Sequence, residues 1–121
     1  MQHIGVDIIE IARIERAIAR WGKSFLRRVY TEPELKLYHQ KPWSLAARFA
    51  GKEAVIKALG IPPKGVSWKE IEILSDPDGK PLVHLYGKVQ QQANKLGLDH
   101  LAISLSHSKE YAIALVVGET K

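Results

Sequence analysis

The chain has 121 residues and no cysteine, with 45% hydrophobic and 26% charged residues and a formal net charge of +5. This length and composition predict a single folded domain, 1–121, with a substantial core. The lack of cysteine excludes a disulfide scaffold, a thiolate zinc site and a cysteine nucleophile, and the positive charge favours an anionic partner.

The sequence contains no signal for a membrane. No apolar run approaches the roughly 18 residues that a membrane-spanning helix needs, and the first residues show no signal-peptide pattern. We therefore expect a cytoplasmic protein with no membrane partner.

The first residues predict a strand, because apolar side chains alternate with small or polar ones. The two faces are Ile4, Val6 and Ile8 on one side and His3, Gly5 and Asp7 on the other. Asp7 at the end of this strand has two interpretations, a functional carboxylate or the N-cap of the following helix. The sequence does not separate them.

A basic region follows the strand. Residues 10–21 predict an amphipathic helix whose outer face carries Arg13, Arg16 and Arg20. Further cations follow at Lys23, Arg27 and Arg28. Such a run is usually a solvated surface, but its one-sided excess also fits an acidic partner protein.

The longest helical pattern runs from about Ser44 to Leu59, after a capping box at 31–34 that begins a short helix through Tyr38. Its larger apolar residues share one stripe: Leu45, Phe49, Val55, Ile56 and Leu59. Lys52 falls on this stripe, so its ammonium must extend to solvent or meet a partner, such as another subunit or a substrate phosphate.

Glu53 and Lys57 lie one turn apart on this helix, beside Ala46 and Ala50. The simpler interpretation is a surface ion pair, worth about 0.3–0.5 kcal/mol. The alternative is a carboxylate and an ammonium that face a ligand, with the alanines leaving room for it.

The second half predicts strands. Two short strands flank a turn at 75–81, residues 88–96 predict a helix, and residues 101–107 and 111–117 predict the last two strands. The predicted fold class is α+β, a single domain with a long central helix packed on a largely antiparallel sheet.

Asp7 and Glu53 are the candidate metal ligands, because Mg²⁺ prefers carboxylate oxygens together with water and phosphate. Lys57, Arg48 and Lys52 would neutralise a polyphosphate. The sequence has no zinc-like histidine spacing, phosphate-binding loop or nucleophile elbow.

Three motifs together resemble the holo-[acyl-carrier-protein] synthases, the small, single-domain 4′-phosphopantetheinyl transferases. They are Gly5-Val6-Asp7, residues 48–54 with Lys57 and Ala58, and Ser104-Leu105-Ser106-His107. They occur in the family's order and spacing, and the resemblance covers the whole chain.

The resemblance implies transfer of the 4′-phosphopantetheine arm of coenzyme A to a serine of apo acyl carrier protein in fatty acid biosynthesis, with release of adenosine 3′,5′-bisphosphate. It implies that Asp7 and Glu53 bind Mg²⁺, that Lys57 contacts the phosphates, and that Arg48 and His107 contact coenzyme A. The serine proton would pass to Glu53, directly or through a metal-bound water.

The resemblance also implies two protein contacts. The arginines of the first helix, Arg13, Arg16 and Arg20, would receive the acidic recognition helix of acyl carrier protein. The family's trimeric assembly implies a homotrimer, with each active site between subunits.

Two positions depart from the family pattern. The turn at 60–65 contains Pro62 and Pro63, which lack the N–H groups that could approach a phosphate. Gly51 replaces the more usual alanine, at a helix cost of about 1 kcal/mol.

Two other functions explain fewer residues. A basic nucleic-acid-binding module would account for the net charge, and an adaptor for acidic proteins would account for the arginine helix. Neither gives a role to Asp7, Glu53 or His107, so we expect a transferase with no nucleic-acid partner.

Overall fold

The computed structural model describes residues 1–62 and 64–120, so Pro63 of the predicted 60–65 turn lies outside the described residues. The elements, in chain order, are β1 (Gln2–Glu10), α1 (Ile11–Trp21), α2 (Lys23–Val29), α3 (Glu32–Tyr38), α4 (Pro42–Leu59), a 3₁₀ turn (Trp68–Glu70), β2 (Ile71–Ser75), β3 (Pro81–Leu85), α5 (Gly87–Lys95), β4 (Leu101–His107) and β5 (Tyr111–Glu119).

The strands form two antiparallel sheets. β5 lies between β1 and β4 in one sheet, and β2 pairs with β3 in the other. The predicted α+β class is confirmed, but the strands form two sheets instead of one, and β1 from the amino-terminal end pairs with β5. No helix within 1–62 and 64–120 could span a membrane.

Helix α4 is buried on most of its circumference, not along one stripe as predicted. Ala46, Ala50 and Ala54 are fully buried. At Gly5 of β1, a Cβ atom would overlap the carbonyl oxygen of Ala54 and lie 2.8 Å from the amide nitrogen of Ala58. The expectation that the alanines leave room for a ligand is therefore wrong, because their small side chains let the sheet approach the helix.

Gly51 has a similar packing role on the other flank of α4. A Cβ atom at this position would lie 2.5 Å from Cδ1 of Ile73 and 3.2 Å from Cδ1 of Ile103. The missing methyl group thus makes space for side chains from β2 and β4, which offsets the helix cost of a glycine.

The helix boundaries follow local signals. Thr31 and Glu34 form the predicted capping box of α3. Gly22, with φ 54°, separates α1 from α2, a short helix that the sequence analysis did not predict. Gly60, at φ 65°, ends α4 in the left-handed conformation that glycine adopts without strain.

Lys52 of α4 is fully buried and has its partners inside the chain. Its Nζ donates to Oε1 of Glu34 at 2.7 Å, to the carbonyl oxygen of Ile71 at 2.6 Å and to that of Trp68 at 3.1 Å. All three ammonium protons thus have acceptors. Burial lowers the pKa of Lys52, and the Glu34 carboxylate opposes that shift. The expected subunit or phosphate partner is therefore not needed.

Glu34 is also fully buried, and it joins three elements. Its Oε1 accepts the backbone N–H of Thr31 at 2.8 Å, which completes the cap of α3. Its Oε2 accepts the backbone N–H of Ile73 in β2, also at 2.8 Å. Together with Lys52 it ties α3, α4 and β2 to one another.

We expect Lys52→Met to lower the free energy of unfolding by about 3–5 kcal/mol, because it leaves the Glu34 carboxylate buried without its counter-charge. Urea denaturation followed by circular dichroism, at one fixed protein concentration, measures this loss. The double variant Glu34→Gln/Lys52→Met should lose less than the sum of the two single variants. As a control, exposed Lys69→Met should change the value by less than about 0.5 kcal/mol. A similarly small effect of Lys52→Met would contradict the assignment.

Candidate active site

Asp7 and Lys57 form an ion pair between β1 and α4. Lys57 Nζ lies 2.9 Å from Asp7 Oδ1 and also donates to the carbonyl oxygen of Val6 at 3.0 Å. Asp7 does not cap α1: the N-cap residue is Glu10, and its side chain forms no capping hydrogen bond. The N-cap interpretation of Asp7 is therefore wrong, and the carboxylate faces the central helix.

Glu53 lies one turn before Lys57 on α4, but the predicted pair between them is replaced by other partners. Glu53 Oε1 accepts the indole N–H of Trp68 at 2.8 Å. Trp68 packs in turn against Phe49, with ring centroids 5.8 Å apart. Because Asp7 binds Lys57, both carboxylates lie on the side of α4 that carries Glu53 and Lys57.

The two carboxylates suit a hard divalent cation. No hydrogen bond from residues 1–62 or 64–120 reaches Oδ2 of Asp7 or Oε2 of Glu53, so one oxygen of each is available. Within the same ranges, no three His, Asp or Glu side chains form a possible metal cluster. A cation held by Asp7 and Glu53 would therefore take further oxygen ligands from a substrate and water, as Mg²⁺ commonly does.

Arg48 and His107 line a separate pocket of about 280 Å³, together with residues of α3, α4, β2 and β4. His107 at the end of β4 is exposed, whereas Arg48 is only 6% exposed. The guanidinium stacks 3.6 Å from the ring centroid of Tyr38. It donates to the carbonyl oxygen of Ile73 and to Ser75 Oγ. Burial lowers the pKa of Arg48.

The two groups of residues project from different sides of α4. With 3.6 residues per turn, Glu53 is rotated by about 140° and Lys57 by about 180° from Arg48. The structure thus brings Asp7 to Lys57 and Arg48 to His107, but it holds the two pairs apart within one chain.

The predicted basic helix is α1, and its arginines are exposed. Arg13, Arg16 and Arg20 line a surface groove of about 400 Å³. Arg20 also stacks on the ring of Trp21, 4.9 Å from its centroid. This positively charged groove can present several guanidinium groups to an acidic partner.

An apolar pocket of about 370 Å³ lies next to the basic groove. Trp21 lines both the basic groove and this pocket, whose other walls include Phe25, Phe49 and Trp68. Trp68 is also the residue that holds Glu53. Trp68 was not among the predicted site residues, because nothing in the local pattern shows that an indole 15 residues away reaches Glu53.

Comparisons with known proteins agree along the whole chain. The family model described as the 4′-phosphopantetheinyl transferase superfamily matches residues 3–116. A holo-[acyl-carrier-protein] synthase of Dehalococcoides mccartyi is 56% identical over 119 residues, covering 98% of this chain and 99% of that protein.

Solved structures give the same result. The Helicobacter pylori holo-[acyl-carrier-protein] synthase in complex with coenzyme A superposes with a TM-score of 0.86 at 37% identity, covering 96% of this chain and 99% of that one. The Neisseria meningitidis synthase gives a TM-score of 0.88 at 34% identity, covering 98% of each chain. The chain therefore belongs to the holo-[acyl-carrier-protein] synthase family of the 4′-phosphopantetheinyl transferase superfamily.

Proposed function

We propose that the protein is a holo-[acyl-carrier-protein] synthase that acts in fatty acid biosynthesis. It transfers the 4′-phosphopantetheine group of coenzyme A to a serine of apo acyl carrier protein and releases adenosine 3′,5′-bisphosphate. The observation that carries this proposal is the 56% identity, over 98% of the chain, to a synthase of that name. A cytoplasmic location belongs to the same proposal, and the cysteine-free sequence fits a reducing compartment.

Asp7 and Glu53 are the residues that would hold Mg²⁺, through Oδ2 of Asp7 and Oε2 of Glu53, which accept no hydrogen bond from residues 1–62 or 64–120. When bound, the cation supplies positive charge that stabilises the transferring phosphoryl oxygens. Lys57 stands beside Asp7 and is 55% exposed, so its ammonium can turn towards a phosphate while staying near the carboxylate.

The chain's own residues then position the reaction and move one proton. The carrier serine oxygen forms a bond to the phosphorus that carries pantetheine, and the bond from that phosphorus to the adenosine bisphosphate breaks. Glu53 accepts the serine proton, and the leaving group departs with the electron pair of the broken bond. Lys57 lies where it can stabilise the charge that develops on the phosphate oxygens.

The pocket of Arg48 and His107 is the proposed site for the phosphorylated ribose of coenzyme A. His107 is exposed at its edge, and the Arg48 guanidinium contributes positive charge to its wall. Since the hydrogen bonds of Arg48 go to Ile73 and Ser75, we propose that Arg48 acts mainly through its charge and by shaping the pocket.

The wild-type protein, incubated with coenzyme A, Mg²⁺ and an apo acyl carrier protein, should add the mass of one phosphopantetheine group to the carrier. Mass spectrometry of the carrier measures this gain, and a carrier whose target serine is replaced by alanine is the control. An unchanged carrier mass would refute the proposed function.

Asp7→Ala and Glu53→Ala should each lower the transfer rate by at least about 100-fold, because each removes an oxygen ligand and a negative charge from the proposed metal site. Circular dichroism should show an unchanged fold, since both carboxylates are partly exposed. Glu15→Ala, on the exposed face of α1, is the matched control. Near-normal rates for either variant would remove that residue from the metal site.

The carrier protein is proposed to dock on α1 through Arg13, Arg16 and Arg20. The double variant Arg13→Glu/Arg20→Glu should raise KM for the carrier by about tenfold or more, because it replaces attraction by repulsion. KM for coenzyme A should stay unchanged. Lys95→Glu on α5 is the control, with a single charge reversal away from the groove. An unchanged KM for the carrier would move docking to another surface.

We also propose a homotrimer, and its support is an exposed apolar surface on the three-stranded sheet, called here the outer sheet face. It consists of Ile4, Val6 and Ile8 of β1 and Tyr111, Ile113 and Leu115 of β5, all between 39% and 60% exposed. Val6 pairs with Leu115 and Ile8 with Ile113, so the side chains are contiguous. A patch of this kind marks a protein interface.

An assembly would also bring the two halves of the site together. In one chain, Glu53 and Lys57 lie on a different side of α4 from Arg48. A neighbouring copy that packs on the outer sheet face can place its own Arg48 and His107 pocket next to the first chain's carboxylates. We therefore propose that each active site takes residues from two subunits.

Leu115→Glu should convert the trimer to monomers, because it puts a charge at the centre of the outer sheet face. Light scattering coupled to gel filtration measures the mass, and the transfer rate should fall by at least about tenfold if sites span subunits. Leu37→Glu is the control, since Leu37 on α3 is similarly exposed but lies outside this face. A wild-type monomer, or a fully active Leu115→Glu monomer, would contradict the proposal.

A further inference from the structure

The hydrogen bond from Trp68 to Glu53 links an aromatic side chain to a proposed catalytic carboxylate. Trp68 Nε1 lies 2.8 Å from Glu53 Oε1, in a partly buried position. An indole has one N–H, which can only donate. It therefore fixes one particular oxygen of Glu53 and leaves the other without a hydrogen bond from residues 1–62 or 64–120.

Hydrogen bonds also hold the backbone around Trp68 in place. Its carbonyl oxygen accepts a hydrogen bond from the buried ammonium of Lys52, which is anchored by Glu34. Ser67, just before it, forms a reciprocal cap with Glu70 that closes the 3₁₀ turn. A continuous set of contacts thus runs from the buried ion pair through the backbone of Trp68 to the Glu53 carboxylate.

Two contacts restrict the side chain of Trp68, one from packing and one from a hydrogen bond. The Phe49 ring contacts it at a tilt of 37°, while the N–H makes the bond to Glu53. Trp21 lines the same apolar pocket, but it is 56% exposed and its ring stacks on Arg20. The two tryptophans therefore share a pocket, and only Trp68 contacts a carboxylate of the proposed site.

We propose that Trp68 is a positioning residue for the transfer reaction. Its indole N–H holds Oε1 of Glu53, so that Oε2 is presented in one orientation to the cation and to the carrier serine. This inference rests on the proposed function and assigns Trp68 no direct contact with substrate. Groups that orient a metal-binding side chain commonly contribute 10–100-fold to metal affinity or activity.

Trp68→Phe removes the N–H and keeps an aromatic ring against Phe49. It should lower kcat by about tenfold or more, with KM for coenzyme A and for the carrier changed by less than about twofold. It should also weaken Mn²⁺ binding by about tenfold, measured by electron paramagnetic resonance with coenzyme A present and no carrier. A change in KM alone would indicate a packing role and overturn the proposal.

Trp21→Phe is the matched control for the Mn²⁺ measurement, a change of the same size in the same pocket. Because Trp21 also lines the carrier groove, the comparison uses Mn²⁺ affinity without carrier, which should stay within about twofold of the wild-type value. If Trp68→Phe leaves both kcat and Mn²⁺ affinity at the wild-type values, the proposal is wrong.

A second measurement does not depend on the folding of a Trp68 variant. The chain has three tryptophans, so ¹⁵N-labelled wild-type protein gives three indole N–H signals in nuclear magnetic resonance spectra. Glu53→Ala should shift the Trp68 signal upfield and leave those of Trp21 and Trp43 in place, because only Trp68 loses a charged acceptor. An unshifted Trp68 signal would overturn the proposal.

The indole signals also separate this inference from the proposed function. Failure of the wild-type chain to transfer phosphopantetheine would overturn the function. The response of the Trp68 signal to Glu53→Ala reports on the contact itself, with no turnover required.

Discussion

The buried pair of Lys52 and Glu34 is the constraint on which the other contacts depend. Removing two charges from water is costly, and such a pair is tolerated only where the remaining donors and acceptors are satisfied. Here the ammonium has three acceptors, and the carboxylate accepts two backbone N–H groups as well. The pair therefore fixes the rotation of α4 about its own axis relative to α3 and β2. Since Glu53 follows Lys52 directly, about 100° around the helix, the same pair sets the direction in which the proposed metal ligand points.

Local patterns in the sequence predicted most of the secondary structure. The alternation of β1, the capping box of α3 and the turn between β2 and β3 each depend on neighbouring residues, and the structure confirms them. The contact between Asp7 and Lys57 spans 50 residues of sequence, so no local pattern could show it. The family resemblance implied only that Asp7, Glu53 and Lys57 serve the same site. The short helix α2 was not predicted, because its few apolar residues give only a weak helical periodicity among the basic ones.

The errors about α4 have one physical cause. A helical wheel assumes one buried face and one exposed face, but α4 is covered by the sheet on one side and by α3 and β2 on another. The wheel therefore left Lys52 without a partner, paired Glu53 with Lys57 and treated the alanines as open space.

The net charge alone did not identify the function. It allowed a nucleic-acid-binding module as an alternative, whereas the comparisons along the whole chain identify a transferase family.

Alternate residues of strand β1 face two different surfaces. Gly5 and Asp7 face α4, while Ile4, Val6 and Ile8 form part of the outer sheet face. Because side chains alternate with a period of two, insertion or deletion of one residue within β1 would exchange the two sets. Isoleucine or valine would then meet Lys57, and the aspartate would enter the apolar surface. Natural variation in chain length is therefore not expected within this strand.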